Sequence, residues 1–127
     1  MSQGFLQSFD NRIEVNSAGT FPASRVNHRA LKVMAEAGID ISRNSPKSVD
    51  EFLNDHWDYV ITVCDDAREV CPVFTGKVKI RLHMGFEDPS FATGSEEYIM
   101  NEFRRIRDQI KTEFYNFYNN KIKPGLK

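Results

Sequence analysis

YVITVCDDAREVCP, residues 59–72, is the stretch from which the rest of the chain is best read. Tyr59, Val60, Ile61, Thr62 and Val63 form a short aromatic and β-branched run bounded by polar residues, which predicts a strand. The run lacks an apolar–polar alternation, so the strand is expected to be buried on both faces, as in a parallel α/β sheet. Sites in such sheets gather just beyond the carboxyl ends of the strands. Cys64 is the first residue past that end, and Cys71 is the other of the two cysteines in the chain.

Their spacing has consequences of its own. Asp65 and Asp66 are suited to open a helix, with acidic groups near its positive end. Residues seven apart on a helix share a face but stand roughly 10 Å apart along the axis. A disulfide requires Cα atoms within about 7 Å. Cys64 and Cys71 therefore cannot bridge across an intact helix, and the segment would have to unwind, which Pro72 makes easier. A helix start beside Cys64 would also lower its thiol pKa and raise its nucleophilicity. From spacing alone, two small, buried, inert core cysteines are the favoured reading.

Composition sets the bounds. The 127 residues suit a single domain, 1–127, with 40% hydrophobic and 28% charged residues, ordinary for a globular protein. A net charge of −1 gives no electrostatic footprint for nucleic acid. No apolar run is long enough to span a membrane, so no membrane partner is expected. The segment MSQGFLQSFDNR has neither a basic start nor an apolar signal core, which predicts a cytoplasmic protein with reduced thiols. His28, His56 and His83 share no ligand spacing with the cysteines, so neither a zinc site nor any bound cofactor is expected.

The remaining chain alternates helices and strands. Phe5, Leu6 and Phe9 give a helix already under way at Met1, and Ile13–Asn16 alternates as a strand. Asn27 caps a helix running to Ala37, with Gly38 as its C′ residue. Ile39 and Ile41 follow in an extended piece, and Ser48 with Glu51 forms a capping box for a short helix to Asn54. Lys77–Leu82 alternates as a half-exposed strand, and residues 83–94 form a long loop. Ser95 caps the longest helix, whose stripe is Ile99, Phe103, Ile106, Ile110, Phe114 and Phe117. The tail from about residue 119 is expected to fray. The alternation predicts an α/β, three-layer parallel-sheet domain with Thr20, Cys64 and Asp88 on one rim.

NSAGT at 16–20, GIDIS at 38–42, KSVDEF at 47–52, the 59–72 stretch and GFEDP at 85–89 resemble the low-molecular-weight tyrosine phosphatase fold family. More narrowly they are similar to its thioredoxin-coupled arsenate reductases. The resemblance implies an oxyanion substrate, arsenate or a phosphate-like ion, and a relay of three cysteines. A nucleophile in a C-x5-R loop attacks arsenate, the cysteine matched by Cys64 attacks the adduct and releases arsenite, and the one matched by Cys71 completes the disulfide as the intervening helix loops out. Thioredoxin would reduce that disulfide, and Asp88 would protonate the departing oxygen. Asp88 also fits a turn-forming role before Pro89.

The sequence departs from that pattern at its start. It contains no C-x5-R, and Met1–Leu6 aligns just after the loop, so the first central strand of the sheet, the loop and its arginine are expected to be absent, and the chain inactive without them. Arg25 and Arg29 cannot replace a cradle of backbone N–H groups. A downstream start and a natural variant turned binding or regulatory module both account for this. In the family the first strand lies between those matched by Ile13–Asn16 and Tyr59–Val63, so its loss is expected to be met by re-pairing or by a homo-oligomer sharing strand edges. Met84 replaces a frequent Trp. Gln3 and Lys47 occupy places where some relatives hold potassium, which predicts no cation site. A plain low-molecular-weight protein tyrosine phosphatase remains the alternative enzyme.

Overall fold

A computed structural model describes residues 1–18, 27–44, 47–64, 76–87 and 89–126, with Cys64 described by its backbone. The described residues fall into two compact units, a helical one (1–16, 27–44, 89–126) and a sheet one (17–18, 47–64, 76–87).

The helical unit is built from α1 (Ser2–Phe9), α2 (His28–Glu36) and α3 (Glu96–Phe117). Each start follows from a local signal. Asn27 Oδ1 accepts from the Arg29 and Ala30 amides, and Ser95 Oγ accepts from the Tyr98 amide, satisfying N–H groups that the helix itself leaves unpaired. α2 ends in a Schellman arrangement: Ile39 N–H reaches the Met34 carbonyl and Gly38 N–H the Ala35 carbonyl, with Gly38 at φ +81°. Phe103, Ile106, Ile110, Phe114 and Phe117 of α3 are buried with Phe5 and Leu6 of α1, Val33 and Met34 of α2, and Ile41. Ile99, the first residue of the expected stripe, is half-buried.

Ion pairs tie both ends of α2 to α3. Arg29 pairs with Glu96 at 2.8 Å near the two helix starts, and Glu36 pairs with Arg104 at 2.8 Å and Arg107 at 3.1 Å farther along. The two helices therefore run side by side in the same direction. Arg107 also donates to the Val33 carbonyl at 2.9 Å, supplying a donor near the negative end of α2. The Arg104 and Arg107 guanidiniums hold Glu36 down at a pKa of about 2. At the far end of α3, Phe9 packs edge-on against Tyr115 with centroids 5.3 Å apart, and Tyr118 Oη donates to Asp10 at 2.6 Å. Arg12 and Tyr118 hold the Asp10 carboxyl well below the usual range. The chain continues beyond α3 in a wide π-type turn, Tyr118–Ile122, and a 3-10 turn, Lys123–Gly125.

Among the described residues, the strand expected at Ile13–Asn16 is not formed. A strand exists by its ladder, and here glutamine side chains take the carbonyls instead: Gln7 Nε2 donates to Ile13 and Gln3 Nε2 to Val15.

The sheet unit pairs β1 (Trp57–Cys64) with β2 (Val78–Phe86) in parallel. Its start is tied down by Trp57 N–H to the Lys77 carbonyl at 2.8 Å, Gly76 N–H to the Leu53 carbonyl at 2.9 Å, and Trp57 Nε1 to the Phe52 carbonyl at 3.0 Å. The expected helix to Asn54 is a single 3-10 turn, Val49–Glu51, capped by Ser48 Oγ. Among the described residues the sheet has two strands. Tyr59–Val63 are consequently part-exposed rather than buried on both faces. β2 runs past the expected limit at Leu82, because pairing with β1 carries it through to Phe86.

Candidate functional site

The parallel ladder brings the carboxyl ends of β1 and β2 to the same edge of the sheet unit. Trp57 pairs with Val78, Tyr59 with Ile80, and Thr62 with His83, all in one constant register. Cys64 then pairs with Phe86, so β2 spends one more residue than β1 over the last step. The register of the ladder thus shifts by one residue between Thr62 and Cys64, with the extra residue on β2 between His83 and Phe86. Just before it, Thr62 Oγ1 lies 2.7 Å from His83 Nδ1 and 3.4 Å from the Leu82 carbonyl. Phe86 itself is buried.

Of the residues singled out in the sequence, Cys64 is thus the last residue of β1, with its backbone opposite Phe86. Asp88 follows Phe86 by two positions but lies outside the described residues, as do Cys71, Thr20 and the expected helix after Asp65. The structure therefore brings together Cys64 and the strand that leads into the Asp88 segment. Thr62 and His83 did not stand out in the sequence. Their meeting depends on the register between strands 21 positions apart, and neither position alone signals it.

Among the described residues no group of three or more His, Cys, Asp or Glu side chains could hold a metal ion. Gln3 gives its amide to the Val15 carbonyl, and Lys47 sits 5.9 Å over the Phe52 ring. No described helix is long and apolar enough to cross a membrane.

Comparison with known proteins adds to this geometry. Residues 5–124 match the family described as low molecular weight phosphotyrosine protein phosphatase. The chain belongs to that family. Within the family, its relatives include the arsenate reductase of Halalkalibacterium halodurans, 42% identical over 118 residues that span 92% of this chain and 84% of the relative. The Bacillus licheniformis and Bacillus subtilis arsenate reductases are 43% and 37% identical over the same shares. Among solved structures, an arsenate reductase in the phosphate binding state superposes with a TM-score of 0.75 at 28% identity, covering 93% of this chain and 85% of that one. An arsenate reductase in the oxidized state gives 0.72 at 29% identity, covering 91% and 82%. The α/β fold with a parallel sheet is thus that of the phosphatase family.

Proposed function

We propose that this protein is an arsenate reductase working through a cysteine relay, with Cys64 and Cys71 as its closing pair. The observation that carries the reading is identity of 37–43% to arsenate reductases across 118 residues that include both cysteines and the 85–89 segment. The position of Cys64 at the carboxyl end of β1, beside the end of the strand that precedes Asp88, supports it.

The electron balance needs two thiols. Arsenate becomes arsenite by gaining two electrons, two thiols become one disulfide, and the oxygen removed leaves as water. In the proposed relay Cys64 attacks the sulfur of a thiol–arsenate adduct, breaking the sulfur–arsenic bond and releasing arsenite with the electron pair. Cys71 then attacks the Cys64 sulfur of the mixed disulfide, and the first thiol is restored. Asp88 donates the proton to the departing oxygen. Thioredoxin, as an external dithiol, returns the Cys64–Cys71 disulfide to thiols. No bound cofactor takes part.

Residues 1–127 contain no C-x5-R, so turnover is proposed for a protein in which such a loop supplies the first thiol on the same fold. The test is arsenite formation by the protein isolated from its own cell, with arsenate, thioredoxin and a thioredoxin-reducing system. Cys64→Ser and Cys71→Ser should each abolish multiple turnover. Aryl-phosphate hydrolysis indifferent to both substitutions, with no arsenite formed, would establish the phosphatase reading instead. Absence of both activities would leave a binding module.

A further inference from the structure

β1 and β2 treat their outer edges differently. A strand turns its main-chain groups alternately to either side, and Trp57 N–H donates to the Lys77 carbonyl next to β2. The register is constant from Trp57 to Thr62. Trp57, Tyr59 and Ile61 therefore turn their main chain toward β2, and Asp58, Val60 and Thr62 turn theirs to the opposite edge. Among the described residues no strand pairs with that edge. None of residues 57–63 is fully buried, whereas strands of parallel sheets are ordinarily covered. Edges that stay open are usually blunted by charged side chains, proline or bulges. β2 obeys that rule, with Lys77, Lys79 and Arg81 exposed along it. Between Tyr59 and Val63, β1 carries no charge, proline or glycine.

The run is also complementary to its own reverse. Laid antiparallel on a second copy about a two-fold axis at Val60, it sets Trp57 opposite Val63 and Tyr59 opposite Ile61. Both are aromatic against β-branched pairs, which stabilise a sheet. Asp58, the one charge in the run, meets Thr62, and Val60 meets Val60. The outward main-chain groups of Asp58, Val60 and Thr62 then fall in hydrogen-bonded pairs. β2 cannot do the same, because a two-fold at Ile80 would oppose Lys79 to Arg81. β1 against the β2 of a second copy would be head-to-tail and leave edges open to further copies. We propose that two copies of this chain join antiparallel along β1, giving a four-stranded sheet with the cation-bearing β2 strands outermost. The inference goes beyond the reductase reading and does not depend on it.

The test is the mass of residues 1–127 in solution, by light scattering across a dilution series, with amide exchange on the same samples. Twice the mass of one chain is expected at high concentration. The amides of Asp58, Val60 and Thr62 should be protected there and lose protection on dilution, while those of Trp57, Tyr59 and Ile61 stay protected by β2. Val60→Glu would face its own charge across the two-fold, yet within its own ladder the position stands opposite Arg81. It should weaken the dimer roughly a hundredfold, whereas Val60→Thr, β-branched and uncharged, should keep it. If Val60→Glu fails to fold, amides 57, 59 and 61 lose protection too, and the dilution series of the unaltered chain decides alone. A single-chain mass at every concentration overturns the proposal. So does protection of amides 58, 60 and 62 that ignores dilution, or a dimer that survives a folded Val60→Glu.

Discussion

The two units of the molecule hold themselves together by different means. In the helical unit, aromatic and aliphatic side chains from all three helices are fully enclosed: Phe5, Met34, Val33, Ile106 and Phe114 are each less than 2% exposed. In the sheet unit, Phe86 is the one residue of the apolar core among those described, and order comes from backbone pairing and a few directed contacts. Apolar burial is strong and tolerant of small shifts, whereas a ladder is weaker but fixes position residue by residue. The group proposed to react, Cys64, sits on the ladder. Stability and positioning are thereby assigned to different parts of the chain, and each can be attacked separately.

The largest effect should come from the helical core. Phe114 is 1% exposed on the inner stripe of α3, and Phe114→Ala removes both its transfer free energy and its filled volume. A loss of about 3–5 kcal/mol in unfolding free energy is expected, read as a lower urea midpoint. A loss below about 1 kcal/mol would show that the enclosed aromatics do not dominate, and the contrast between the units would collapse.

A smaller and more local effect is expected at the start of the ladder. A Cβ built on Gly76 runs into the Asp55 carbonyl oxygen and comes within 2.7 Å of the Asn54 backbone. These neighbours are main chain and cannot rotate away. Gly76→Ala should cost about 1–3 kcal/mol as an overpacking substitution, by pushing the 53–55 turn away and breaking the Gly76 to Leu53 bond. Amide exchange should accelerate across β1 and β2 while α3 amides keep their protection. Equal acceleration in α3 would show that the two units open together, and would merge what the burial pattern separates.

The same division governs what could be read from the sequence. Helices announce themselves locally: the steps of 3, 4, 4 and 3 from Phe103 to Phe117 are the buried stripe of α3, and Asn27 and Ser95 cap as their positions suggest. A strand is a relation between two segments, and half of each relation lies elsewhere in the chain. Ile13–Asn16 has strand alternation without a ladder among the described residues, and glutamines of α1 donate to its Ile13 and Val15 carbonyls. The alternation that marks β2 in the sequence ends at Leu82, and only pairing with the partner strand carries it to Phe86. For the site, the position of Cys64 at the strand end was legible. The Thr62–His83 contact was not, since it exists only once the register is set.

The smallest effect should appear at the edge of the helical unit and only as a function of pH. Glu36 is exposed yet held at about 2, first by the hydrogen bond from Arg104 and then by Arg107. A carboxyl whose folded pKa lies below its unfolded value near 4.5 contributes stability that is fully present above about pH 4.5. That contribution fades as pH falls toward 2, where both states become protonated. Glu36→Gln keeps an oxygen acceptor and removes the charge. Its urea midpoint should lie slightly below that of the wild type at pH 7, by an amount that shrinks in added salt because the pair is open to solvent. Between pH 4.5 and 2 the two midpoints should converge. A gap that stays constant through that window would mean the Glu36 carboxylate charge contributes nothing to joining α2 and α3 there.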